Sequence, residues 1–195
     1  KIFLNKIKNS FKNTKFDIIG YTRPINKIKR KNKKKCVLFC PEGFYNETEK
    51  MLEFAQNMLQ KYNNINIIFR LHPEIKIKYL NFSKKLLKNN KFSFSKNTLD
   101  KDLQNSKILI YRGSSVCINA IKNNTIPIYL NLNDNINLDP LFEVNKNRIN
   151  SINEIKNYLN NFNYKKYDKL NKLKKYSEIY FQKFDYKKLI TIVFN

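Results

Sequence analysis

The chain has 195 residues, with 39 Lys+Arg against 15 Asp+Glu, one His, three Cys, three Gly and no Trp; its formal net charge is +24. With 42% hydrophobic and 14% aromatic residues it carries enough apolar material for one core, which argues against intrinsic disorder, while the scarcity of Gly and Cys excludes a collagen-like repeat or a disulfide-stapled miniprotein. The charge invites a nucleic-acid or membrane-surface reading. Lys, Asn and Ile together make up close to half of the chain, however, a bias that A/T-rich codons produce without a partner, so only the placement of the charge is informative.

In chain order, residues 1–35 read as a basic N-terminal arm or linker, with the like charges of 26–35 holding it extended. The stretch Cys36-Val37-Leu38-Phe39-Cys40 is a continuous apolar run closed by Pro41-Glu42-Gly43, the pattern of a strand buried on both faces. Asn46 and Glu49 are placed to cap a helix carrying Met51, Leu52, Ala55, Met58, Leu59 and Tyr62 at helical spacing. The unit then repeats. A strand over 65–71 ends at His72-Pro73, and a helix is predicted near 75–87. A short strand over 92–95, a short helix over 99–103, a strand over 107–111, a helix over 114–122 and a strand over 126–130 follow. A polar loop over 131–147 carries Asp139-Pro140, and Ser151 with Glu154 supplies a capping box for a helix to about Leu159. From about Tyr167 the chain reads as a helical tail. Alternating strands and helices imply an α/β, Rossmann-like parallel sheet with helices on both faces. The predicted division is 1–35 arm, 36–165 Rossmann-like nucleotide-binding domain, and 166–195 C-terminal helical tail packed on it.

No run approaches the roughly 18 apolar residues of a membrane span, and no export signal is legible. Cys36, Cys40 and Cys117 sit in apolar runs without CxxC spacing or a nearby His, which fits reduced core thiols in a cytoplasmic compartment and no metal site. No cofactor is expected.

In an open α/β sheet, ligands bind beyond the carboxyl ends of the strands. Three loops there hold chemistry-bearing residues. Arg112-Gly113-Ser114-Ser115 opens a helix: Gly113 permits a tight turn, and the serines and first N–H groups can receive an anion, unless Ser114 only caps the helix. The segment is neither a Walker loop nor a GxGxxG fingerprint, which removes support for ATP hydrolysis and NAD binding. His72, the sole histidine, stands where Pro73 stops a strand. It is either an ordinary loop histidine or a donor to a phosphate, able to offset charge on a leaving group. Glu42 is a candidate base or sugar-hydroxyl ligand, or a capping and solvent-facing carboxylate, and Arg112 would pair with phosphate or with Glu42. Hydrolase and metalloenzyme constellations are absent from the pattern. Tail aromatics Tyr164, Tyr167, Tyr176, Tyr180, Phe181 and Phe184 interleave with Lys as a stacking surface would, but their spacing of three and four reads as a helix face packing on the domain.

The order of Phe69-Arg70-Leu71-His72-Pro73, then Ser106 to Val116 with Arg112-Gly113-Ser114-Ser115, then Ile126-Pro127-Ile128-Tyr129-Leu130 resembles the C-terminal, nucleotide-binding half of GT-B glycosyltransferases. It is most similar to bacterial surface-carbohydrate enzymes with HP and SS motifs, including CMP-sugar sialyltransferases and capsule transferases; teichoic-acid glycerophosphotransferases share the layout. Gly20 to Pro24 resembles the passage out of their N-terminal domain, and Tyr180 to Asp185 their closing helix. The resemblance implies transfer of a sugar or alcohol phosphate from a nucleotide-activated donor, a CMP-sugar favoured, to a glycan or lipid-linked acceptor, in the cytoplasm or held at the inner membrane face. It implies that His72 contacts the nucleotide phosphate, that Ser114 and Ser115 hold that phosphate, and that the segment 94–98 offers backbone groups to the base; Gly43, Pro73, Ser95, Arg112 and Gly113 complete the candidate nucleotide- and phosphate-binding set. His72 and Glu42 are the catalytic candidates. The acidic motif that supplies the sialyltransferases' catalytic carboxylate has no counterpart in this sequence, and Glu42 does not inherit that role by motif. The competing reading is a non-enzymatic basic module on nucleic acid or a membrane surface.

Overall fold

The computed structural model describes residues 36–132, 137–160, 173–178 and 184–194. The arm over 1–35, the Gly20 to Pro24 passage and, in the tail, Tyr164, Tyr167, Tyr180 and Phe181 lie outside them. Six strands form one sheet: β1 (Cys36–Cys40), β2 (Asn66–Phe69), β3 (Phe92–Phe94), β4 (Ile108–Tyr111), β5 (Ile126–Leu130) and β6 (Arg148–Ile149). Their order is β3-β2-β1-β4-β5-β6 and every neighbouring pair is parallel. This is the Rossmann-like α/β sheet expected, with its topological switch between β1 and β4.

Alternation along each strand divides the core in two. Val37, Phe39, Ile108, Ile110, Ile126 and Ile128 face one side, under α1 (Tyr45–Lys61) with Met51, Leu52, Ala55 and Met58, and under α4 (Ile152–Asn160) with Ile155. Leu38, Cys40, Leu109, Tyr111 and Tyr129 face the other, under Leu103 of α2 (Leu99–Asn105), Cys117, Ile118 and Ile121 of α3 (Val116–Lys122), and Leu173 and Tyr176 of α5 (173–178). Strands covered on both faces must be apolar at every position, and β1, β4 and β5 are buried throughout. Each such side chain contributes roughly 1.5–3 kcal/mol by leaving water. A last helix, α6 (Tyr186–Phe194), is largely exposed.

Two expectations are corrected. The crossover from β2 to β3 holds no α-helix over 75–87; it makes two 3-10 turns, Ile77–Tyr79 and Lys84–Lys88. Its inward residues Ile75, Leu80, Phe82 and Leu86 are spaced by five, two and four, which no single helical face accommodates, whereas short turns bring each inward separately. The N-terminus of α1 is capped neither by Asn46 nor by Glu49: the capping position is Phe44, without a side-chain bond. Glu49 instead accepts the N–H of Asn81 at 2.6 Å. Ser151 and Glu154 do meet at the start of α4, as a side-chain pair rather than as a reciprocal capping box. The Ser151 hydroxyl donates to Glu154 at 2.9 Å, and the Glu154 carboxylate reaches back to the Asn150 N–H. Strand β6 had no signal, since two residues are too short for a period.

The three cysteines are buried and unpaired, and burial raises the proton affinity of each thiol. Among the described residues no group of His, Cys, Asp and Glu could hold a metal ion, and no helix is long and apolar enough to cross a membrane.

Candidate functional site

Parallel strands end on one edge, so the loops after β1, β2 and β4 emerge side by side in the order β2, β1, β4. The loop after β1 stands in the middle. A Cβ on Gly43 would lie 3.2 Å from Nδ1 of His72, and one on Gly113 would collide with the Glu42 carboxylate. The Glu42-Gly43 segment is thus sandwiched between the imidazole of the β2 loop and the turn of the β4 loop. Both glycines lack a side chain for a local reason: Gly43 leaves room for the imidazole, and Gly113, at φ +27, turns under the carboxylate.

His72 is positioned by the backbone. The Arg70 N–H still pairs with the Phe39 carbonyl at 2.9 Å, after which the chain leaves the ladder. Pro73 cannot donate to a ladder, and the Ile75 N–H closes a turn onto the His72 carbonyl at 2.9 Å, with Ile75 buried as its anchor. The Glu74 N–H donates to His72 Nδ1 at 3.3 Å. In the neutral ring this places the proton on Nε2 and makes that nitrogen an N–H donor. The ring is exposed.

Glu42 is half-buried. Burial pushes its carboxyl above the usual range, the nearby Glu47 adds to this, and Arg112 and His72 pull it back. Glu47, in the first turn of α1, is the residue that ties the loops together. One oxygen accepts the Glu42 N–H at 3.2 Å and the other accepts Nε of Arg112 at 3.1 Å. Sequence reasoning gave Glu47 no role and paired Arg112 with Glu42 or with phosphate; the carboxylate partner of Arg112 is Glu47. The guanidinium is 1% exposed, also donates to the Leu130 carbonyl at 3.4 Å and lies 5.6 Å from the Tyr129 ring centre. It supports the site from beneath. No local signal could have found this pair, whose members are 65 positions apart.

The β4 loop turns tightly, the Ser114 N–H donating back to the Arg112 carbonyl. The Ser114 oxygen accepts the Val116 N–H at 3.4 Å from one position before the capping residue Ser115, whose own side chain makes no cap bond, and the Ser114 O–H remains for another acceptor. Ser115 is exposed at the start of α3.

Ser95 is elsewhere engaged. Its hydroxyl donates to Asp102 and accepts from Arg70 at 3.3 Å and from the Asn97 N–H at 3.2 Å. Asp102 is fully buried and paired with Arg70 at 2.9 Å, so this network secures the 95–98 loop and leaves the Ser95 side chain little to offer. A second network was also missed. The Tyr111 hydroxyl donates to Asp139 at 2.6 Å, Arg148 meets the other oxygen at 2.9 Å, and the Leu141 N–H adds a bond at 2.9 Å. It fastens the loop after β5 against the end of β4.

No protein-family model matches the sequence, and no curated protein does. Solved structures do resemble it. TarM aligns with a TM-score of 0.56 at 16% identity, covering 100% of this chain and 41% of its own. MnaA of S. aureus, in a co-structure with UDP, gives 0.54 at 11%, covering 87% and 48%. A variant of the wall teichoic acid polymerase TagF, soaked with CDPG, gives 0.52 at 14%, covering 98% and 44%. The chain spans less than half the length of each of these proteins. At such identities the likeness establishes the fold, which is the Rossmann-like domain of GT-B type.

Proposed function

We propose that this chain is the donor-nucleotide-binding half of a transferase that moves a sugar or polyol phosphate from a nucleotide-activated donor to a glycan or lipid-linked acceptor. The observation that carries the proposal is the meeting of three loops at the β1–β4 switch, where Glu42 and Gly43 lie between His72 and Gly113. That is where an open α/β sheet takes its ligand. In this reading Nε2–H of His72 and the free O–H of Ser114 donate to a phosphate, with the exposed Ser115 hydroxyl beside them. Bond breaking between the transferred group and the phosphate leaves negative charge on the phosphate, which these donors offset. Glu42, whose carboxyl holds its proton more tightly than usual, faces the same space and would accept or hold a proton there.

The nucleotide class we propose is a pyrimidine nucleoside diphosphate. UDP accompanies MnaA and CDPG accompanies TagF, and none of the three likenesses described speaks for the CMP-sugar that the sequence motifs favoured.

Calorimetry and thermal shift with UDP, CDP, CMP and GDP test this. UDP or CDP should bind, and His72→Ala and Ser114→Ala should each weaken binding by about 1–3 kcal/mol, the worth of a hydrogen bond to a charged group. Silence from all four nucleotides, or unchanged affinity in both variants, would reject it. Binding to RNA that falls steeply with salt and shows no nucleotide preference would favour the basic-module reading.

A further inference from the structure

Beside the site mouth, apolar side chains are held out into solvent by a well-anchored stretch of backbone. The chain from Lys76 to Asn81 lies along the first turns of α1. The Lys76 N–H donates to the Tyr45 hydroxyl at 3.3 Å, the Asn81 N–H to Glu49 at 2.6 Å, and the Tyr45 and Tyr79 rings meet edge to face at 6.3 Å. Ile75 is buried and Leu80 packs against the core. The 3-10 turn between them therefore directs Ile77 (46% exposed) and Tyr79 (60%) outward, and Tyr79 meets Tyr45, the residue after the exposed Phe44 (62%). Phe44 follows Gly43, where a Cβ would lie 3.2 Å from the His72 ring, so the cluster borders the site.

Its polar companions are basic. Lys76 and Lys78 flank Ile77, and Nζ of Lys78 lies 4.7 Å from the Tyr79 ring centre. Glu74 is the exposed carboxylate on the adjoining turn. Phe and Ile supply apolar insertion depth, Tyr suits the boundary between head group and acyl chain, and lysine stems run along apolar surface while their ammonium groups reach anionic head groups.

We infer that the surface formed by Phe44, Tyr45, Ile77 and Tyr79 with Lys76 and Lys78 docks on an anionic phospholipid bilayer, setting the nucleotide-site edge toward the membrane. Charge complementarity selects this occupant: Lys76 and Lys78, exposed beside Ile77 and Tyr79, oppose pairing of this face with a second copy of itself and favour an anionic sheet. The inference does not require nucleotide binding.

Vesicle co-sedimentation of the full chain tests it, with phosphatidylcholine alone and with phosphatidylcholine containing phosphatidylglycerol, at low and high salt. Every variant keeps the remaining charge of the chain, which isolates the patch from general basicity. Binding should require the anionic lipid and persist in part at high salt, where screening removes the purely electrostatic share. The Ile77→Ser/Tyr79→Ser variant, with charge unchanged, should lose about tenfold in partitioning. Lys76→Gln/Lys78→Gln should lose about tenfold at low salt, and more than Lys61→Gln/Lys91→Gln on the opposite edge of the sheet. Ile77, Tyr79, Lys76, Lys78 and Lys61 are exposed and Lys91 is half-buried, and unchanged melting would exclude misfolding. Equal binding by the Ile77/Tyr79 variant, equal losses from the two lysine pairs, or no vesicle binding with Ile77- and Tyr79-dependent dimerisation in sedimentation velocity would each overturn the inference. Nucleotide affinity measured without vesicles should stay as in the parent chain.

Discussion

The Glu47–Arg112 pair carries the sharpest expectation about stability. Arg112 is 1% exposed and the Glu47 side chain 10%, so neither charge is well hydrated once its partner is gone. Breaking a buried ion pair from one side costs about 3–5 kcal/mol. Glu47→Ala also removes the acceptor of the Glu42 N–H, worth about 0.5–1.5 kcal/mol. The Leu130 carbonyl and the Tyr129 ring remain with the guanidinium, which puts the total near the lower end, about 3 kcal/mol. For a domain of this size that corresponds to a fall in Tm of about 6–12 °C. Urea unfolding of Glu47→Ala, Arg112→Met and the double variant measures the coupling. Since an apolar side chain can replace a buried charge at little cost once both partners are gone, the double variant should be more stable than the sum of the singles implies, by about 2 kcal/mol. A loss below about 1 kcal/mol for Glu47→Ala, or additivity within about 0.5 kcal/mol, would refute the claim that this pair holds the β1 and β4 loops together.

Gly113→Ala should destabilise by about 2 kcal/mol or more, because its φ of +27 disfavours a side chain and the new Cβ meets the Glu42 carboxylate; adding Glu42→Ala should recover part of the loss in the same unfolding assay, and no recovery would separate the two loops. Glu42 holds its proton more tightly in the folded chain than in the unfolded one, so its ionisation opposes folding at neutral pH. Glu42→Gln should therefore raise stability at pH 7, by at most about 1 kcal/mol given solvent screening. That gain should shrink as pH falls through the raised folded value and vanish below the ordinary 4.5; a gain independent of pH would contradict the assigned cause. Tyr111→Phe should cost about 1–2 kcal/mol by urea unfolding, since it strips one bond from the buried Asp139 but leaves Arg148 and the Leu141 N–H in place.

Much of the site was legible before folding because its residues sit directly after strands. Pro41-Glu42-Gly43, His72-Pro73 and Arg112-Gly113-Ser114 each interrupt or follow an apolar run, and parallel strands necessarily deliver such loops to one edge. The roles of these residues were less legible. Arg112 reads from sequence as a phosphate ligand or a partner of Glu42, but its burial against Tyr129 and pairing with Glu47 depend on β4, β5 and α1 converging. Ser95 reads as part of a segment whose backbone meets the nucleotide, and the bonds of its side chain to Asp102 and Arg70, a meeting of three separate elements, had no signal in the sequence.

What the chain's residues determined alone is the class of each long element. Uninterrupted runs such as Cys36–Cys40 and Ile126–Leu130 suit strands covered on both sides, and the helical spacing of Met51, Leu52, Ala55 and Met58 suits one amphipathic helix. Those are local signals, in which apolar periodicity matches backbone geometry over five or more residues. Only the tertiary structure decided the rest: the two 3-10 turns where a helix was expected, the two-residue strand β6, and the bridge from Glu47 to Arg112, 65 positions away. In each case the deciding energy lies in burial and pairing between distant segments, and a periodicity read along the chain has no access to it.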